Sequence, residues 1–210
     1  MAGFRHVVFD VDGTLADTNG ISLRALQDLV FEETGEEEDL EDLAFACGIP
    51  GKVALERLGI RRPGALERWD QIIVARGEKP EAFPGVRSLL LALKGAGHQV
   101  GVVTSRRRDE YESAIVPLGL EECVDERVFA EDAPEPKPSP APLLTYLERT
   151  GAKPEETIYI GDSEYDARCA HNAGVTFAFA GWSGEKPVED ASFWASEPGD
   201  IFLIAEWALT

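Results

Sequence analysis

A short apolar run, His6-Val7-Val8-Phe9, breaks into Asp10-Val11-Asp12-Gly13-Thr14-Leu15. The run predicts a buried strand, and two aspartates two residues apart stand where that strand ends. In extended chain, side chains at i and i+2 lean to the same side. Two carboxylates so placed can share one metal ion, or divide the work of nucleophile and proton carrier. Gly13 permits a tight turn and exposes backbone amides beside whatever binds there. An aspartate-rich turn between a strand and a helix is the plainer alternative for the D-x-D pair alone.

From Asp17 to Pro80 no convincing β-run appears. Asp17, Thr18 and Asn19 offer helix-capping chemistry, and apolar residues then recur at helical spacing over Ile21–Phe31, Leu40–Phe45, Val53–Leu58 and Ala65–Ala75. After Phe83-Pro84-Gly85 the pattern changes to alternation. A helix is expected from Val86 to Lys94, a strand over Val100–Val103 and a polar helix over Arg107–Val116. A weaker strand follows at Val128–Ala130. A stiff, extended loop is expected at Pro134-Glu135-Pro136-Lys137-Pro138-Ser139-Pro140. A helix over Ala141–Arg149, a strand at Thr157–Ile160, a helix reaching Asn172, a strand at Val175–Phe179, and a short strand and closing helix from Ser192 to Thr210 complete the reading. Such alternation predicts a three-layer α/β fold with a parallel sheet, its strand carboxyl ends on one edge. Two discontinuous units result: an α/β core from residues 1–17 and 81–210, and an all-helical insert over 18–80.

Composition narrows the function. A net charge of −19 opposes binding to nucleic-acid backbones, and an acidic enzyme for anionic substrates needs a divalent cation and selected basic side chains. No apolar run approaches the length of a membrane span and no signal-like N-terminal segment is present, so a cytoplasmic protein is expected. Cys47, Cys123 and Cys169 lie far apart and predict neither a disulfide framework nor a zinc site.

Ligands of open α/β sheets bind outside the strand carboxyl ends. Three predicted strands end in polar groups, Asp10/Asp12, Thr104/Ser105 and Asp162, and Lys137 rides on the proline loop. Singly, each has an ordinary structural role as a cap, turn or linker residue. Together, the strings FDVDGTL at 9–15, VVTS at 102–105, PKP at 136–138 and GDSEYD at 161–166 resemble those of the haloacid dehalogenase superfamily. The resemblance is to the subclass with a helical cap inserted after the first strand. The Pro84-Gly85-Val86 helix entry is similar to that of its phosphoglycolate phosphatase-like branch.

The resemblance implies a Rossmann-like core, a helical cap domain, and a Mg²⁺-dependent phosphatase acting on a small phosphorylated metabolite. Asp10 would be the nucleophile and Asp12 the general acid and base. Asp10, Asp162 and the Asp12 backbone carbonyl would hold the metal, with Asp166 supporting that shell. Thr104, Ser105, Lys137 and the amides near Gly13 would bind phosphoryl oxygens. Ser105 stands where asparagine is commoner, and Ala141 where an acid is. The loop Gly48-Ile49-Pro50-Gly51-Lys52 is the expected specificity loop, with Lys52 or Arg106 reaching a substrate's anionic end. His171 is expected at the surface or in packing. Within the family, a phosphomutase would also keep both aspartates, whereas a dehalogenase would lack the acid at position 12, and a phosphonate hydrolase would need Lys52 as a Schiff base. A non-catalytic binding module on the same scaffold is the alternative from another class.

Overall fold

The computed structural model describes residues 3–47, 49–184 and 187–207. Strand β1 (His6–Phe9) and the two-residue β2 (Ala16–Asp17) precede four helices, α1 (Asn19–Thr34), α2 (Leu40–Leu43), α3 (Gly51–Arg57) and α4 (Ala65–Arg76). Strand β3 (Glu81–Ala82) follows, then α5 (Val86–Ala96), β4 (Gln99–Val103), α6 (Arg108–Ala114), β5 (Glu126–Val128) and α7 (Ala141–Thr150). The chain continues through β6 (Thr157–Gly161), α8 (Glu164–Ala173), β7 (Thr176–Ala180), β8 (Phe193–Ala195) and α9 (Pro198–Trp207).

Six strands form one parallel sheet in the order β5-β4-β1-β6-β7-β8. Its first strand by sequence is thus central, which explains why all four of its residues are apolar or buried: both faces are covered. Period-two alternation sorts the strand residues between two layers. Val7 and Phe9 pack with Leu89, Leu90 and Leu93 of α5 and Ile201 and Ala205 of α9, while Val8 and Tyr159 pack with Leu143 and Tyr146 of α7 and Cys169 of α8. This is the three-layer α/β, Rossmann-like architecture. Among the described residues no helix is long and apolar enough to cross a membrane.

Helices α1 to α4 bury a separate apolar cluster, with Leu26, Leu29, Leu55 and Trp69 among its members. The two chain crossings between this helical unit and the sheet lie side by side, because β2 and β3 pair antiparallel, Ala16 opposite Ala82 and Asp17 opposite Glu81. That ribbon was not legible in sequence: two-residue strands carry no periodicity.

Two local expectations differ from the structure. The proline loop turns rather than extends: Ser139 N donates to Pro136 O at 3.0 Å, and the Lys137–Pro138 bond is cis. Thr18 occupies the position preceding α1, but its side chain makes no capping bond. Gly48 of the expected specificity loop, and residues 208–210 of the expected closing helix, lie outside the described residues.

Gly101 occupies the middle of β4, and a Cβ there would sit 2.3 Å from Cε2 of Tyr146, a fully buried ring. Gly101→Ala is therefore expected to destabilise the fold by about 3 kcal/mol through overpacking. Gly95→Ala, on the exposed side of α5 with nothing within 4 Å, is expected to stabilise it by about 0.5–1 kcal/mol. Urea unfolding of the two variants beside the parent measures both.

Candidate active site

Strand register builds the site. Phe9 is paired with Val102 on one side and Ile160 on the other, so the residues just beyond, Asp10, Thr104 and Asp162, emerge together at one edge of the sheet. Asp10 N still donates to Ile160 O at 2.8 Å, which fixes its backbone as a continuation of β1. The chain then turns sharply: Gly13, at φ 70°, donates to Ala16 O at 2.9 Å, and Leu15 N donates to Val11 O at 2.9 Å. A Cβ on Gly13 would lie 1.7 Å from Oδ2 of Asp162, so only glycine lets the two loops approach. Trp182 closes the back of the turn by donating Nε1–H to Thr14 O at 2.9 Å.

The turn of the proline loop delivers Lys137, which is 3% exposed, between two carboxylates. Its Nζ donates to Oδ1 of Asp10 and to Oδ1 of Asp166, each at 2.7 Å. Asp166 is the third residue of α8 and completes a reciprocal cap with Ser163. Its Oδ2 accepts from the Ser163 hydroxyl at 2.5 Å and the Ser163 N–H at 3.2 Å. The Tyr159 hydroxyl stands 3.0 Å from the same Oδ1 and 2.8 Å from Val103 O, and its one proton serves one of the two at a time. Both Asp166 oxygens are thereby committed to protein donors.

One carboxylate oxygen each from Asp10, Asp162 and Asp166 lies within 4.8 Å of the others, and all three residues are buried. Burial is the largest influence on Asp10 and raises its carboxyl to about 7, against the opposing pull of Lys137. Burial disfavours the Lys137 ammonium too, but Asp10 and Asp166 outweigh it and hold the lysine charged, above its ordinary range. Clustered carboxylates are hard oxygen donors of the kind that suits Mg²⁺, and Gly13 fits Asp162 to that cluster by letting its carboxylate pack against the turn, whereas both Asp166 oxygens are already held by protein donors.

Asp12 lies in different surroundings. Its carboxylate accepts from Arg106 Nε at 3.0 and 2.9 Å, from Arg106 Nη2 at 2.6 Å, and from the Thr18 hydroxyl. Burial would raise its pKa, but Arg106 and Thr18 prevail and hold it below the usual carboxylate range. Thr104 is buried and its Oγ1 accepts from Arg106 N at 3.2 Å.

These groups open into a cleft of about 350 Å³ between the sheet edge and the helical unit. Asp10, Asp12, Ser105 and Arg106 line the sheet side, and Ile49, Lys52 and Trp69 the helical side. Lys52 is exposed, as is His171, which lies away from the site on the last turn of α8. Burial pushes the Cys169 thiol up to about 12, which removes it as a nucleophile.

Three contributing residues escaped sequence reading. Thr18 and Asn19 read as helix caps, yet the Thr18 hydroxyl goes to Asp12 and Asn19 Nδ2 donates to Asp162 Oδ2 at 3.0 Å. Tyr159 reads as a core aromatic, although a phenol inside a buried strand demands a partner for its hydroxyl, and that demand was the available signal.

Replacing Lys137 by methionine leaves Asp10 and Asp166 without their shared cation. Breaking a buried pair in this way is expected to destabilise the protein by about 3–5 kcal/mol in metal-free buffer. Urea unfolding in the presence of chelator measures the loss, and an unchanged midpoint would contradict the bridging role.

Comparison with known proteins identifies the family. The family model described as haloacid dehalogenase-like hydrolase matches residues 7–180. Pyrophosphatase PpaX of Bacillus velezensis is 30% identical over 84% of this chain and 83% of its own length. A protein of Caldanaerobacter subterraneus, provisionally named pyrophosphatase PpaX, is 28% identical over 97% of this chain and 91% of its own. The crystal structure of a Lactobacillus plantarum protein, provisionally named a phosphoglycolate phosphatase, superposes with a TM-score of 0.85 at 27% identity, covering 97% of this chain and all of that one. With a family match spanning both ends of the site, the chain belongs to the haloacid dehalogenase-like hydrolases.

Proposed function

We propose that this protein is a Mg²⁺-dependent phosphatase that hydrolyses a small phosphorylated metabolite through an aspartyl-phosphate on Asp10. The observation that carries the reading is the buried group of Asp10, Lys137, Asp162 and Asp166, from which Asp10 faces the cleft. The names of the pyrophosphatase relatives and of the phosphoglycolate phosphatase-like neighbour support the same class of substrate.

Asp10 attacks phosphorus, which divides one difficult hydrolysis into two easier displacements. Asp12 gives a proton to the leaving oxygen and later takes one from the attacking water. Their surroundings differ: Asp10 faces an ammonium and other carboxylates, whereas Arg106 and Thr18 hold Asp12 ionised, so Asp12 takes up the proton it delivers only once those contacts loosen. Lys137 balances the charge on Asp10 and, with Thr104 and Ser105, offers donors to the phosphoryl oxygens, whereas the Gly13, Thr14 and Leu15 amides, expected to join them, are spent on Ala16 O and Val11 O in closing the turn. The Thr104 hydroxyl accepts from Arg106 N and keeps its own proton to donate.

Asp10, Asp162 and the Asp12 backbone carbonyl would hold Mg²⁺, with Asp166 orienting Lys137 beside them rather than ligating. When bound, the ion offsets the repulsion between the nucleophilic carboxylate and a phosphate dianion. Asn19 orients Asp162 through its 3.0 Å hydrogen bond.

Residues 18–80 act as a cap over a core of 1–17 and 81–210. The separate apolar cluster of α1 to α4 and the adjacency of both crossings in the β2–β3 ribbon support this division. Arg57 of α3, 5.7 Å from the Tyr165 ring centroid, and Arg107, 3.8 Å from Asp70, join the two parts.

Phosphate release from small phosphate esters and inorganic pyrophosphate, assayed with Mg²⁺ and with chelator, tests the reading. Asp10→Asn is expected to lower kcat by about 10⁴-fold or more, and chelation to abolish turnover. Turnover that survives Asp10→Asn removes the covalent route. Phosphate appearing in step with substrate loss distinguishes hydrolysis from transfer within one sugar. Gly13→Ala, which must push Asp162 aside, is expected to raise the Mg²⁺ concentration for half-maximal rate by about 10–100-fold.

A further inference from the structure

Arg106 and Asp12 form a bidentate pair at the floor of the cleft, with contacts of 2.6 to 3.0 Å, and both side chains remain about a fifth exposed, at 21% and 20%. The pair is therefore reachable by a molecule in the cleft. It also engages both oxygens of the carboxylate that has to meet a leaving oxygen. The neighbouring Arg107 is engaged by Glu110 at 2.8 Å and Asp109 at 3.2 Å, and Lys52 stands exposed on the opposite wall. Arg106 is thus the guanidinium set beside the leaving side of the reaction.

Resting on the phosphatase reading, we propose that Arg106 is a specificity residue which trades Asp12 for a second anionic group on the substrate's leaving side, and so frees Asp12 to reach the leaving oxygen. A carboxylate or phosphoryl group can replace Asp12 on the planar guanidinium with the same charge-assisted bonds. An uncharged tail cannot, and leaves the pair closed. Distance limits the substrate further. Asp12 must come within about 2.6–3.2 Å of the oxygen it protonates, and the guanidinium lies within 3.0 Å of that same carboxylate. With one further charge-assisted bond of about 3 Å from guanidinium to anion, the second anion sits within about 9 Å of the leaving oxygen. The substrate class is a phosphate ester or anhydride that carries a second anion on its leaving side, rather than a monoester with an uncharged tail.

Phosphoglycolate and ethyl phosphate form a matched pair, a carboxylate against a methyl group of similar size, and inorganic pyrophosphate supplies the phosphoryl arm. With Mg²⁺, the wild-type protein is expected to favour phosphoglycolate, pyrophosphate or both over ethyl phosphate by about 10²-fold in kcat/KM. Which of the two it favours identifies the anion. Arg106→Gln is expected to bring that ratio within about tenfold, through a raised KM for the anionic substrate and a raised kcat on ethyl phosphate as Asp12 is released. Arg106→Lys, which keeps charge without the fork, is expected to retain an intermediate preference and decides the matter if Arg106→Gln does not fold. Equal losses on all substrates in either variant, or a wild-type ratio near one, overturn the exchange while leaving the phosphatase reading intact. Hydrolysis of none of the three by the wild-type protein overturns the exchange, and the phosphatase reading falls with it only if the wider set of phosphate esters is also untouched.

Discussion

The ammonium of Lys137, held at 2.7 Å from Asp10 and from Asp166, is the interaction on which the rest of the site depends. In a chain of net charge −19, three carboxylates converge at one buried sheet edge, where each would repel the next. A cation fixed among them makes that convergence tolerable. Its position is set by the turn of the proline loop, and its partners by a central strand and by the capped first turn of α8. Ser163 holds the other oxygen of Asp166 through its hydroxyl and its backbone N–H, so the lysine is gripped by a carboxylate that is itself anchored.

A few ångströms along the chain, Asp12 experiences a different field. Arg106 and Thr18 surround it, and burial is outweighed there but not at Asp10. Two like residues, two apart, are thereby separated in acidity by their neighbours alone. Thr18 and Asn19 are the residues through which the chain leaves the sheet edge for α1, and they bond Asp12 and Asp162 respectively. Any displacement of α1 is felt at both carboxylates at once. The β2–β3 ribbon keeps the two chain crossings together.

Much of this was legible in the primary structure. The His6–Phe9 run, the alternation after residue 83 and the polar residues ending three strands sufficed for the parallel sheet and its binding edge, because buried strands and their terminal residues have strong local signatures. The haloacid dehalogenase-like strings carried the site membership of Asp10, Thr104, Lys137 and Asp162. Thr18, Asn19 and Tyr159 were hidden, since each has an ordinary local explanation as a cap or a core ring. The ribbon at Ala16–Asp17 and Glu81–Ala82 was hidden for a different reason: its pairing joins residues some 65 apart, and nothing in either dipeptide announces it.

The sequence by itself determined which residue types stand at the strand ends, and hence that carboxylates, a threonine and a lysine would share one edge, because strand register carries local order into space. Only the tertiary structure decided how those charges are paired. Lys137 bridges Asp10 and Asp166, and Arg106 takes Asp12, because pairing depends on which side chains a fold brings within about 3 Å. Distances of that kind arise from loops and layers far apart in the chain, and no local pattern encodes them.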